Sequence, residues 1–255
     1  MEGMSKFVKG VVAIISIVTI IGLVPIKAFA NINNLDKVEE NIYSHLENRD
    51  TNIKFLYTGD KKEFEKNIAK VIEAAYKKND YIERSWVEIT PTAKVVNGGI
   101  ETDINITYLT DKNQEEYINA ELKKESDLIF MNCKNDYDKV KAINEYLINR
   151  YEYDYTYKSV DIYSALTSGK TICQGYAMTA YKMLNYAGIE NRIVVGSASG
   201  TSHSWNLIKL DGKWYHLDIT NNDATKSNKY FLVTDKYLES NNYSWNKCEY
   251  PISMD

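Results

Sequence analysis

Hydrophobic and polar positions follow two distinct periods along the chain. Ile53 to Thr58 reads as a short strand ended by Gly59-Asp60, and beyond it Phe64, Ile68, Val71, Ile72 and Ala75 recur at the spacing of an amphipathic helix. Trp86 to Val96 and Ile100 to Leu109 flank Asn97-Gly98-Gly99. In the second run Ile100, Ile104, Ile106 and Tyr108 alternate with Glu101, Asp103, Asn105 and Thr107, which predicts a hairpin with one wet face. Lys112 to Phe130 and Asp136 to Tyr151 predict two helices. The second has Asp136 and Asp138 in its first turn, where acidic side chains suit the positive end of the helix dipole, and Val140, Ile143 and Leu147 on one side. Asn132 to Asn135 between them is the best candidate boundary in a chain whose only prolines beyond residue 30 are Pro91 and Pro251.

Further on, Ala177, Tyr181, Leu184 and Ile189 suit a buried helix that stops at Gly188, with Thr171-Ile172-Cys173-Gln174-Gly175-Tyr176 leading into it. Ser202 to Leu210 and Lys213 to Thr220 alternate around Asp211-Gly212, the signal of a two-residue hairpin turn. Pairing Leu210 with Lys213 sets Trp205 against Asp218 and His203 against Thr220. His203 and Asp218 are then diagonal neighbours on one face, with Cβ atoms about 7–8 Å apart. A one-residue slip would send them to opposite faces.

The first thirty residues have a different character. Lys6 and Lys9 precede an uncharged run from Gly10 to Pro25, too short for the roughly 20 residues of a membrane-spanning helix, and Ala28-Phe29-Ala30 has the small-x-small pattern that signal peptidases accept. The expectation is a signal peptide over 1–30, cleaved after Ala30, and a secreted or cell-surface protein. Membrane attachment is expected only if that segment stays uncleaved.

Composition narrows the class. The chain has 255 residues, 44% hydrophobic and 26% charged, which is enough for a real core and unlike a disordered or multispanning protein. A formal net charge of -4 argues against a nucleic-acid partner, which needs a basic face to neutralise phosphates. Three cysteines leave at least one thiol unpaired in a monomer. In an oxidising compartment Cys133 and Cys248 could pair, with Cys173 left over, and three unpaired thiols are the other reading.

Cys173 stands at a predicted helix start, where free backbone N–H groups and the dipole favour thiolate over thiol. A paired imidazole would complete a nucleophile and base, but His203 and His216 lie on the same face of the hairpin and periodicity does not choose between them; the open end of the hairpin favours His203. Gly169-Lys170-Thr171 imitates the end of a phosphate-binding loop, yet the position that loop needs for its first glycine is Ser164. The ligand types Cys173, His203, His216 and Asp218 would suit zinc, but without a zinc spacing, so no metal or cofactor is expected.

Tyr163-Ser164-Ala165-Leu166, Gly169 through Ala177, His203-Ser204-Trp205-Asn206 and Trp214-Tyr215-His216-Leu217-Asp218 together resemble the bacterial transglutaminase-like domains in order and local signature. The resemblance implies an α+β fold with a papain-like core over 135–255, a cysteine helix packed on an antiparallel sheet. It also implies a Cys173 nucleophile, a His203 base, an orienting Asp218 and a non-catalytic His216. After Asp218-Ile219-Thr220 relatives of this kind often continue with Trp-Asp-Asp; this chain has Asn221-Asn222-Asp223 there. Residues 31–134 match no signature and read as an accessory α/β region. The implied activity is acyl transfer from glutamine to an amine, or amide hydrolysis, through a thioester on a protein or peptide, with a cell-wall component as the other candidate substrate. The oxyanion would rest on the Cys173 N–H and one further donor, with Tyr151, Tyr153 and Tyr155 as candidates. A non-catalytic binding or wall-associated module of the same fold is the alternative.

Overall fold

The computed structural model describes residues 11–12, 16–19 and 30–254. Most of the predicted leader lies outside the described residues. Among the described residues no helix is long and apolar enough to cross a membrane.

Among the described residues the chain divides into two compact units, one from Val11 to Lys112 and one from Asn113 onward. The first unit contains strands β1 (Val11–Val12), β2 (Ser16–Thr19) and β3 (Ala30–Ile32), helix α1 (Leu35–Glu47), strand β4 (Asn52–Tyr57), helices α2 (Lys61–Lys77) and α3 (Asp80–Ser85), and strands β5 (Trp86–Val96) and β6 (Gly99–Tyr108). The sheet order is β1-β5-β6-β4-β3, with β2 also on β5. Its core joins Val38, Ile42 and Leu46 of α1 and Phe64, Ile68 and Ile72 of α2 to Ile53, Phe55, Ile100 and Ile104 of the sheet. Asn34 and Asp60 cap the two helices, accepting from Lys37 N at 2.9 Å and Glu63 N at 2.8 Å. The predicted hairpin forms with Ile100, Ile104 and Ile106 inward.

The second unit runs α4 (Lys112–Phe130), α5 (Asp136–Arg150), β7 (Glu152–Tyr153), α6 (Ile162–Ser168), β8 (Lys170–Thr171), α7 (Cys173–Tyr186), β9 (Asn191–Ala198), β10 (Thr201–Leu210), β11 (Lys213–Leu217), α8 (Ile219–Thr225), β12 (Phe231–Val233), α9 (Asp235–Ser240) and β13 (Tyr243–Trp245). Its main sheet is antiparallel, in the order β12-β11-β10-β9-β13, and β7 pairs with β8 in parallel. The fold is therefore mixed α+β, as expected.

The compact units divide before α4, which packs on the second unit. Lys182 on α7 reaches Asn119 Oδ1 at 2.7 Å and Glu115 at 3.4 Å, and Ile118 and Leu122 of α4 are fully buried. The asparagines at the predicted boundary belong to the turn between α4 and α5, where Asn135 caps α5 by accepting from Asp138 N at 2.9 Å.

The β10–β11 hairpin has the predicted register, from Leu210 with Lys213 to Asn206 with Leu217. It does not continue to Thr220. Asp218 leaves the ladder and caps α8 instead, so the expected pairings of Trp205 with Asp218 and His203 with Thr220 are replaced by a strand-to-helix corner. Both faces of β10 are covered: Trp205 and Leu207 join Val194, Leu238 and Tyr243, while Asn206 Nδ2 donates to the Ala177 carbonyl of α7 at 3.0 Å.

Candidate active site

Cys173 opens α7 as its first residue, with Ile172 as cap. Its backbone N–H has no intrahelical acceptor, so it is available at the helix's positive end. Two residues on, Gly175 is required by space: a Cβ there would lie 1.8 Å from Thr171 Oγ1. The preceding Gly169 is the left-handed cap of α6 at φ 73°, so Gly169-Lys170-Thr171 ends a helix and starts β8.

His203, on β10, is held by Asp218. Its Nε2 lies 2.7 Å from Asp218 Oδ2, and both side chains are buried. The Cys173 sulfur also acts on this imidazole, raising its pKa together with Asp218. With Nε2 committed to Asp218, Nδ1 is the nitrogen left for the sulfur. The structure thus brings together the three residues singled out in the sequence.

Asp218 is the hub. Oδ1 accepts from Asn221 N at 3.0 Å, the helix-capping bond, and Oδ2 also accepts from the Asn221 amide at 2.8 Å and from the Tyr243 hydroxyl at 2.5 Å. Burial alone would raise its pKa, but the His203 charge and these donors hold it below the ordinary carboxylate value. Burial would likewise lower the pKa of His203, yet the Asp218 carboxylate and the Cys173 sulfur push it up to about 10. The site is built to keep an imidazolium between a carboxylate and a sulfur.

Tyr243 and Asn221 were not singled out by the sequence. Tyr243 reaches the site from β13, an edge strand far along the chain, and no motif marks it. Asn221 lies in the segment that departs from the family pattern, and the structure explains that segment. Asn222 is fully buried, donating to Asn144 Oδ1 at 3.1 Å and accepting from Tyr230 N at 2.8 Å, while Asp223 accepts from the Tyr176 hydroxyl at 2.7 Å. These residues form a supporting helix behind the aspartate.

Of the three tyrosines that are candidates for a second oxyanion donor, Tyr153 is the one whose phenol Cys173 acts on. Its phenol is raised first by burial and next by Cys173. Tyr151 is buried against Thr179 and Tyr176, and Tyr155 is 78% exposed. Tyr153 is fixed where its strand pairs with Thr171, and Asp154 N donates to the Thr171 carbonyl at 2.9 Å. Trp205 and Tyr176 are each 1% exposed and so pack in the core.

The remaining candidates separate. His216 is fully buried on Asp235 and Trp205. Cys133 and Cys248 do not pair: Cys133 Sγ lies 3.4 Å from the Ile129 carbonyl at the end of α4, and Cys248 is exposed in the 3-10 turn Lys247–Glu249, so all three thiols are free. Among the described residues no group of three or more His, Cys, Asp or Glu is arranged to hold a metal.

Comparison with known proteins finds similarity over part of the chain. Residues 126–219 match the family profile of the transglutaminase-like superfamily. The kyphoscoliosis peptidases of Mus musculus and Homo sapiens are each 29% identical, over 138 and 116 residues, which are 44% and 37% of this chain. Those stretches are only 20% and 17% of the peptidases' own length. The solved structure of a TGase is 19% identical, covering 76% of this chain and 59% of that one at a TM-score of 0.36. The periplasmic domain of TgpA from Pseudomonas aeruginosa is 15% identical, covering 56% and 58% at a TM-score of 0.35. At those TM-scores the likeness is too loose to support a role for any residue. The stretch that matches the transglutaminase-like superfamily, residues 126–219, contains Cys173, His203 and Asp218.

Proposed function

We propose that this chain is an exported cysteine enzyme that breaks an amide bond through a thioester on Cys173. The carrying observation is the His203–Asp218 contact of 2.7 Å beside a cysteine that begins a helix. The Cys173 thiolate attacks the amide carbonyl carbon, forming a C–S bond and a tetrahedral oxyanion. The Cys173 N–H and the Tyr153 hydroxyl donate to that oxygen. The His203 imidazolium gives its proton to the leaving amine as the C–N bond breaks, which leaves a thioester and a neutral imidazole. An incoming amine or water then attacks the thioester while His203 takes its proton. The carbonyl passes to the new nucleophile and the thiolate is regenerated.

Asp218 holds the ring orientation throughout and stabilises its cationic form. The acyl donor is a protein or peptide amide, either a glutamine carboxamide or a peptide bond; the peptidase names of the curated relatives support the peptide bond. Export rests on the leader pattern of residues 1–30.

Mass-resolved alkylation at pH 7 tests the nucleophile. Cys173 is expected to react faster than the exposed Cys248 despite its burial, because only it has an imidazolium partner. Equal or slower reaction at Cys173 contradicts the proposal.

A further inference from the structure

His216 is the histidine that this chemistry leaves unused, and its surroundings are as specific as those of His203. It lies on β11 opposite Leu207 with no exposure. Both ring nitrogens are engaged: Nδ1 is 2.9 Å from the Trp205 indole Nε1 and Nε2 is 2.9 Å from Asp235 Oδ1. An indole N–H can only donate, so Nδ1 presents its lone pair and the ring proton sits on Nε2, donating to Asp235. Asp235 Oδ1 in turn accepts from Ser253 N at 3.0 Å.

Trp205 connects this pair to the candidate active site. Its ring is stacked with that of His203 at 21° between planes and 5.8 Å between centroids. Tyr243 and Trp245 meet it edge-on, at 5.2 Å and 5.7 Å. The indole is thus fixed by a hydrogen bond at its nitrogen and by rings on its other sides. His203 needs such a plate: the bond from Nε2 to Asp218 fixes one point of the ring, and a tilt about that point would carry Nδ1 away from the sulfur.

We propose that Asp235, His216 and Trp205 form a second buried carboxylate–histidine chain that fixes the indole plane against which His203 is aligned, making His216 a positioning residue for the Cys173–His203 pair. The inference rests on the proposed role of that pair. The titratable groups facing His203 are Cys173, Asp218 and Tyr243; those acting on His216 are Asp235, Lys247 and Asp218. Loss of the tether loosens the imidazolium–thiolate contact without removing either group.

The test is the pH profile of iodoacetamide alkylation at Cys173, read by peptide mass in the full chain and in Trp205→Phe, His216→Phe and His216→Gln. Trp205→Phe keeps an aromatic plate and removes only the donor. Glutamine at 216 can accept from the indole and donate to Asp235. At pH 7 the parent's Cys173 is expected to react faster than its exposed Cys248, and the two phenylalanine variants should slow Cys173 by about tenfold. His216→Gln should restore most of the low-pH reactivity. A loss caused by general loosening would instead speed alkylation of the part-buried Cys133 at every pH. Parent-like profiles in Trp205→Phe and in any folded His216 variant overturn the inference alone. A parent in which Cys173 reacts no faster than Cys248 overturns the Cys173–His203 pair itself, a distinguishable result.

Discussion

The Tyr243 hydroxyl donates to Asp218 Oδ2 at 2.5 Å, the same oxygen that lies 2.7 Å from His203 Nε2. The tyrosine therefore shares the work of fixing the carboxylate that fixes the imidazole. Tyr243→Phe deletes one charge-assisted hydrogen bond and little volume. It should destabilise the protein by about 1.5–3 kcal/mol and lower kcat by about tenfold with little change in KM. Urea unfolding and steady-state kinetics of the variant check both; an unaltered kcat would show that the remaining Asn221 bonds suffice.

Such a residue marks where sequence reading stops. The β10–β11 register was legible because Asp211-Gly212 pins the turn and the alternation on either side counts outward from it. The departure of Asp218 from that ladder was not, since Ile219-Thr220 continues a strand-like pattern and only the capping bond to Asn221 N turns the chain into α8. His203 and His216 share a face, so period alone could not tell them apart; their partners Asp218 and Asp235 do. Tyr243 enters from β13 through tertiary pairing with β9, and Lys182 ties α4 to α7, and neither contact leaves a local signal. Cys173, His203 and Asp218 each sit in a local motif, while their meeting in space is tertiary.

Proton linkage gives a second expectation. Burial alone would lower the pKa of His203, but Asp218 and Cys173 raise it from 6.5 to about 10. Asp218 is lowered from 3.8 although burial alone would raise it. A raised imidazole contributes stability that is fully present below 6.5 and lost as pH climbs through its folded value. A lowered carboxylate contributes stability present above its ordinary value and lost as pH falls through its folded one. The difference in urea midpoint between the parent and His203→Gln should thus be greatest between about pH 4 and pH 6.5 and shrink toward pH 10. A difference that grows with alkaline pH would contradict the charged pairing.

Gly175→Ala reverses a common rule. Within an exposed helix the change gains roughly 0.5–1 kcal/mol. Here the new methyl would meet Thr171 Oγ1, so about 1–3 kcal/mol should be lost through overpacking. Thermal unfolding decides the sign, and Thr171→Ser/Gly175→Ala should recover part of the loss by removing the Thr171 methyl, a second atom group near that Cβ.

Tyr153→Phe isolates the oxyanion contribution. The ring and its packing on Tyr155 at 5.0 Å between centroids remain, and only the donor goes. By analogy with other oxyanion donors kcat should fall by about 10²-fold while KM stays near its parent value. A rise in KM at constant kcat would instead assign Tyr153 to ground-state binding.

The central claim is covalent acyl chemistry at Cys173, and its most direct measurement is the mass of a glutamine peptide and of the protein after incubation with and without a primary amine. The parent should carry a transient acyl adduct on Cys173. The peptide should gain the mass of the amine minus ammonia when the amine is present, or be converted to the glutamate form or cleaved in water. Cys173→Ala should show none of these. An unchanged peptide with the folded parent, or products that persist in Cys173→Ala, would contradict the account.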